Sequence, residues 1–139
     1  MKFLDRLHPL ALLGLRLALG AIMISHGAQK LFGGMPKFMG MLNSMGIPSW
    51  MAYLTVAAEF GGGILLVVGL LTRLAALSMV IDMAVAIDKV HWKNGLRGPG
   101  GYELPLACGI IAFALIFLGA GPISLDGAFF RGGGGPARK

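Results

Sequence analysis

The stretch "LLGLRLALGAIMISHGAQKLFGG", residues 12–34, decides the class of this protein. It is long enough to cross a bilayer core of about 30 Å, which takes about 20 helical residues. Yet Arg16 interrupts the apolar run, and His26, Gln29 and Lys30 crowd its far end. Because an ionisable group inside a membrane segment is costly, each of these positions is a candidate for a structural or chemical role.

Composition places the whole chain in the membrane class. It has 139 residues, of which 56% are hydrophobic and 13% charged, and its mean hydropathy is +0.78. Soluble domains carry about a quarter charged residues, so lipid is the solvent that fits. The net charge of +6 comes from scattered residues and segment ends, with no basic stripe interleaved with aromatic side chains. This pattern argues against nucleic-acid binding and suits an anionic membrane surface.

Four apolar segments predict one all-α domain, a bundle of four transmembrane helices. The predicted spans are residues 9–32, 49–71, 73–92 and 104–120. Pro48-Ser49 predicts an N-cap for the second span. The tail, residues 131–139, is predicted to be disordered because it is rich in glycine and lies at a terminus.

The segment between the first two spans is too apolar for a solvated loop. Gly33, Gly34 and Pro36 end the first span, and methionines then recur at near-helical spacing. This pattern predicts a short helix lying in the membrane interface, with Trp50 as an aromatic anchor. The alternative is a Met-rich loop packed on the bundle.

Charge balance favours cytoplasmic termini by a narrow margin. With both termini inside, the cytoplasmic side holds six lysines and arginines and the opposite side five, and such residues accumulate in the cytoplasm. The chain has one cysteine, Cys108, so no disulfide can form within it. The opening lacks a clear cleavage site and is expected to remain in the mature protein.

Three ionisable residues fall near the middle third of their predicted spans: Arg16, Glu59 and Asp82. Counted from the start of each span they reach similar depths, and each unpaired charge would cost at least about 2.5–3.5 kcal/mol. We therefore predict a buried polar layer in which Arg16 pairs with one or both carboxylates. Such a pair could serve chemistry, or it could only fix the register of the helices.

A second polar cluster is predicted at the opposite mouth of the bundle. It comprises His26, Gln29, Lys30, Asp88, Lys89, His91 and Glu103, with Tyr102 as a further hydrogen-bond donor. Because histidine titrates near neutral pH, this mouth could transfer protons to a quinone headgroup or hydrogen-bond its carbonyls. Haem ligation is less favoured, and no metal site is predicted. The alternative for His26 is a hydrogen-bonded residue at the interface.

At these residues the sequence resembles the DoxX family. The resemblance rests on "LRLALGAIMISHGAQKLFG", "AEFGGGILLVVGLLTRLAA" and "GYELPLACGIIAFALIFLGAGPISLDG", and it covers residues 12–127. It implies a four-helix protein of a bacterial or archaeal inner (plasma) membrane. It also implies association with a quinone-reducing oxidoreductase through a partner redox subunit. Similar small redox proteins carry a cysteine pair, whereas this chain has only Cys108, which argues against direct dithiol chemistry.

The sequence therefore favours a membrane subunit or anchor of a quinone-linked redox complex. The quinone would occupy a pocket between the buried layer and the mouth. A small transporter is the rival from another class, and a structural or assembly subunit is the third reading. The bilayer is one partner, a redox subunit is another, and the sequence leaves homo-oligomerisation open.

Overall fold

A computed structural model describes residues 5–130, and every regular element in that range is helical. We number the α-helices in chain order: α1 His8–Gln29, α2 Met35–Ser44, α3 Met51–Val68, α4 Thr72–Ala86, α5 Glu103–Leu118 and α6 Leu125–Phe130. A π-helical turn, Ala57–Gly61, lies inside α3, and another, Ile87–His91, extends α4. The tail predicted to be disordered lies outside the described residues.

The break after α1 falls where the glycines and proline predicted it. A π-helical turn, Lys30–Gly34, continues α1, and the chain then kinks at Phe32 and Gly33. Gly33 has φ of 137°, a conformation that side-chain-bearing residues rarely adopt. The predicted short helix between the first two spans is present as α2.

The start of α3 differs from the prediction. The helix begins at Met51 without a side-chain cap, so Ser49 is not the N-cap. The carbonyls of Pro48 and Ser49 instead accept hydrogen bonds from the backbone N–H groups of Met51 and Ala52, at 3.0 and 3.1 Å. This tight backbone turn leads into the helix without help from the Ser49 hydroxyl.

Glycines bring α1 and α3 into close antiparallel contact. A Cβ on Gly20 would lie 2.8 Å from the carbonyl oxygen of Gly63, and one on Gly27 would lie 2.6 Å from the backbone nitrogen of Phe60. Small residues allow helix backbones to approach in this way. Beyond this contact, α4 packs along α5, and the shared core contains Leu19, Leu66, Met79, Met83, Ala112 and Leu115.

Within residues 5–130, two helical segments are long and apolar enough to cross a membrane. They are His8–Ser44, counted through its kink, and Met51–Val68, and only 33% of the residues in the most apolar part of each are buried inside the protein. The shorter helix α5 is also apolar. Large apolar side chains remain exposed on the outer faces, including Leu74, Ile81, Phe113 and Phe117. Such a surface fits an environment of lipid.

Candidate ligand-binding cavity

Arg16 is buried, as predicted, but it does not pair with Glu59 or Asp82. Its guanidinium donates four hydrogen bonds to backbone carbonyls: those of Leu66 at 2.9 Å, Val67 at 3.1 Å, Ala120 at 2.7 Å and Ile123 at 2.7 Å. The first two belong to the last turn of α3, where carbonyls lack helical partners and cations are favoured. The predicted pairing of Arg16 with one or both carboxylates is therefore wrong.

The antiparallel arrangement of α1 and α3 explains the error. Depths counted from the start of each helix coincide only near the midpoint when two helices run in opposite directions. Gly20 lies opposite Gly63 and Val67, whereas Gly27 lies opposite Phe60. Arg16, one turn before Gly20, consequently meets the end of α3, far from Glu59.

Glu59 pairs instead with Lys30. The Lys30 Nζ lies 2.5 and 2.6 Å from the two carboxylate oxygens. The Glu59 side chain is 5% exposed and that of Lys30 is 23% exposed. Lys30 Nζ also lies 4.6 Å from the centre of the Phe38 ring, a cation–π contact that ties α2 to the pair. The pair is thus anchored on α3 and covered by α2.

A cavity of about 290 Å³ lies beside this ion pair. Its polar lining residues come from four helices and the turn after α1: His26, Lys30, Thr55, Glu59, Asp82, Lys89, His91 and Cys108. Apolar side chains complete the wall, among them Met23, Phe38, Met41, Leu42 and Met45. A small apolar space with a few convergent polar groups is the usual form of a small-molecule site.

The structure joins parts of the two predicted clusters into one site. Glu59 and Asp82, predicted in the buried layer, line the same cavity as His26 and Lys30, predicted at the mouth. Asp82 lies beside Glu59 and makes no ion pair with any residue between 5 and 130. Among the described residues, the candidate site therefore contains one carboxylate in an ion pair, Glu59, and one outside any ion pair, Asp82.

Four residues predicted at the mouth, Gln29, Asp88, Tyr102 and Glu103, do not line the cavity. Gln29 is exposed, and neither Tyr102 nor Glu103 is among the lining residues. The Tyr102 ring stacks on Trp92 instead, with 5.6 Å between the ring centres. Tyr102 and Glu103 therefore stay outside the cavity, although the next two residues, Leu104 and Pro105, line it.

Sequence analysis missed Thr55 and Cys108 as cavity residues. Thr55 is a single hydroxyl in an apolar stretch, and Cys108 had no second cysteine to attract notice. Thr55 lies one turn before Glu59 on α3, and Cys108 on α5 lies at the level of Met83 on α4. These positions were the only signals that could have placed the two residues in the cavity. His91 lines the cavity while its Nδ1 lies 2.6 Å from the Gly100 carbonyl oxygen. Within residues 5–130, no group of three or more His, Cys, Asp or Glu residues is placed to hold a metal ion.

Comparisons with known proteins identify relatives of the chain. The DoxX family model matches residues 11–92. A Bacillus subtilis protein named "Putative oxidoreductase CatD" is 34% identical over 118 residues, covering 85% of this chain and 86% of that protein. An uncharacterised Haemophilus influenzae protein is 33% identical over 135 residues, covering 94% of this chain and 99% of that protein.

A third relative is described by its name as a membrane protein. The "Uncharacterized membrane protein Rv3486" of Mycobacterium tuberculosis is 35% identical over 96 residues, covering 68% of this chain and 58% of that protein. No solved structure matches the chain. The family match spans α1 to the end of the π-helical turn after α4, which includes every cavity residue except those of α5. The chain belongs to the DoxX family of membrane proteins.

Proposed function

We propose that this protein is the membrane subunit of a quinone-linked oxidoreductase and that the cavity binds the quinone headgroup. The observation that carries the proposal is the convergence of Lys30, Glu59 and Asp82 on a mostly apolar space of about 290 Å³. That volume is close to the lower end of ligand pockets, which span about 300–1,000 Å³. It therefore suits a ring-sized headgroup.

The donors in the cavity match the needs of a molecule with two carbonyl oxygens. The Lys30 ammonium has three N–H groups, and Glu59 accepts from it with both oxygens. One N–H remains for a ligand carbonyl. His26, at the edge of the cavity, offers a second donor. The side chains of Phe38 and Met41 would cover the ring faces from α2 and exclude water.

Asp82 is the residue that we assign to proton transfer. A bound quinone would accept two electrons and two protons on reduction, and the electrons would come from a partner redox subunit. Asp82 lines the cavity without an ion-pair partner among the described residues, so its carboxyl group is free to take up and release a proton. The Lys30–Glu59 pair instead orients the headgroup. The name of the Bacillus subtilis relative supports a redox role.

The proposed membrane arrangement has four spans. Helices α1, α3, α4 with its π-helical extension, and α5 would cross the bilayer, and α2 would lie at its surface. The termini would face the cytoplasm of a bacterial or archaeal inner membrane. Reporter fusions after Arg131 and within residues 94–100 should then report opposite sides, the first of them cytoplasmic. Reporters on the same side would contradict four spans.

The ligand is tested by titrating the purified full-length protein in detergent with a soluble short-chain quinone while recording Trp fluorescence. The parent protein should give a saturable response. Lys30→Ala should weaken quinone binding by about tenfold, the loss expected for one hydrogen bond to a charged group. The matched control is Gln29→Ala, which changes the neighbouring exposed residue and should leave the affinity unchanged.

Two results would contradict the proposal. One is the absence of a saturable response in the parent protein with its native redox partners present. The other is equal weakening by the Lys30 and Gln29 variants. Stabilisation by a small polar solute without any quinone response would favour the transporter instead. Stability unaffected by either class of ligand would favour a structural subunit.

A further inference from the structure

A second space on the molecule opens between α3 and α4. It is a groove of about 730 Å³ along the outer faces of these helices. Small residues form its floor, including Ala58 and Gly61 on α3 and Ala75 and Ser78 on α4. The Ser78 hydroxyl donates to the Ala75 carbonyl at 2.8 Å, so it offers no free donor to the groove.

The groove and the cavity meet at three shared residues, Thr55, Asp82 and Val85. Thr55 and Asp82 are both partly buried. Together with Ser78 they are the polar residues of an otherwise apolar groove, whose rim is formed by exposed side chains such as Leu54 and Ile81. In a membrane this rim faces acyl chains. The groove therefore lies directly against the cavity that borders the ion pair, with the shared side chains between the two spaces.

The cavity by itself has no room for a long apolar tail. At about 290 Å³ it is close to the lower end of ligand pockets, and the larger groove lies on the side that faces lipid. We propose that the groove between α3 and α4 seats the isoprenoid tail of the quinone and is its lateral entrance from the bilayer. This inference rests on the proposed function, because it assigns the tail of the same ligand.

Gly61 allows the groove to be filled without disturbing the packing of the helices. A Cβ at Gly61 would meet no atom within 4 Å, and its backbone is helical. Gly62, its neighbour, would not serve, because a Cβ there would lie 3.3 Å from Met79 Cε. Gly14 on α1 also has open space around its Cβ position and lies outside the groove. Gly61→Phe and Gly14→Phe are therefore a matched test and control.

The experiment measures the affinity of both variants and the parent for two quinones with the same ring, one without a tail and one with a decyl tail. Gly61→Phe should weaken binding of the tailed quinone by about tenfold or more, the effect of losing roughly two buried methylene groups. It should leave binding of the tailless quinone within about twofold. Gly14→Phe should change neither affinity.

The possible failures are distinguishable. A parent protein that binds both quinones with equal affinity overturns the tail assignment, because a phospholipid chain then holds the groove, and it leaves the headgroup site standing. Equal weakening of both quinones by Gly61→Phe also overturns the tail assignment, since the variant then acts through the fold. A parent that binds neither quinone overturns the proposed function together with this inference.

Discussion

Two cations of the first helical segment, Arg16 on α1 and Lys30 in the turn that continues it, have opposite surroundings. Arg16 is 1% exposed, and all four of its hydrogen bonds go to main-chain carbonyls. Lys30 keeps a quarter of its side chain accessible, pairs with one carboxylate and borders a cavity. The first cation is fully committed to the fold, whereas the second retains a donor. Burial of a charged side chain therefore does not by itself indicate a chemical role. The group with which the charge pairs determines whether its role is structural or chemical.

The surroundings of Arg16 extend this contrast. Asp126, from the segment after α5, accepts hydrogen bonds from the N–H groups of Leu71 and Thr72 at 2.8 and 2.9 Å, and so caps the start of α4. Gly69 has φ of 71° and lies against the guanidinium, where a Cβ would be 2.7 Å from it. We call this region, formed by Arg16, Gly69, Asp126 and their partners, the locked end. Among the described residues, the region around the cavity has fewer hydrogen bonds between side chains and backbone groups than the locked end.

The largest expected effect is at the locked end. Arg16→Ala should lower the free energy of unfolding by about 3 kcal/mol or more, because each buried carbonyl without a donor costs about 1–3 kcal/mol. Denaturant unfolding in detergent measures this. Arg73→Ala is the control: Arg73 is exposed with a single 3.4 Å contact to the Phe117 carbonyl, and its loss should cost less than about 0.5 kcal/mol. If the Arg16 variant and the parent protein had similar free energies of unfolding, Arg16 would not stabilise the locked end, and the contrast with the cavity end would be wrong.

The ion pair should give the next largest effect. Lys30→Met leaves the Glu59 carboxylate buried without its cation, and we expect a loss of about 2 kcal/mol. This is below the roughly 3–5 kcal/mol for a fully buried pair, since Lys30 is partly exposed. The double variant Lys30→Met/Glu59→Gln should recover most of the loss, and a double-mutant cycle measures the coupling. A coupling near zero would show that the pair does not hold α1 against α3.

Removing the distant cap should have a smaller effect. Asp126→Ala should lower the free energy of unfolding by about 1 kcal/mol, the usual value for losing a helix cap. The stability of Asp126→Asn should lie between that of Asp126→Ala and that of the parent protein. Asp88→Ala is the control, because its ion pair with Lys89 is exposed on both sides. Such surface pairs contribute little. If the two aspartates proved equally dispensable, α4 would not depend on the cap.

The smallest expected change in stability is at the residue assigned to proton transfer. Asp82→Asn should alter the free energy of unfolding by no more than about 0.5 kcal/mol, because Asp82 has no ion pair to lose among the described residues. It should nevertheless slow quinone-coupled turnover, measured with the redox partner present. A large loss of stability would instead assign Asp82 to the structural framework.

Sequence reasoning predicted the helices better than it predicted their partners. The break at Gly33 and the short helix before Trp50 followed from residue types alone, because backbone conformation is a local property. The partners of Arg16 could not be found in this way, since they are main-chain carbonyls, and every residue type supplies one. The general shortage of N–H partners for carbonyls in the last turn of a helix would have indicated two of the four, Leu66 and Val67.

The Lys30–Glu59 pair could have been predicted from the sequence. Both residues were recognised, but they were placed in different clusters because depth was counted along each span from its own start. The glycines at positions 20, 27 and 63 hold the information on register, since they mark where the two helices touch. The cavity itself depends on how α2 folds back over the ion pair, a tertiary feature that hydrophobic periodicity does not encode.

The carbonyl cage around Arg16 also has a consequence for biosynthesis. Two of its acceptors, Ala120 and Ile123, follow Arg16 by 104 and 107 residues along the chain. At a translation rate of about 5–20 residues per second, these two acceptors are synthesised on the order of 5–20 s after Arg16. During that interval the guanidinium lacks two of its four final acceptors. The polar contacts of α1 therefore cannot be completed until almost all of the described chain has been made.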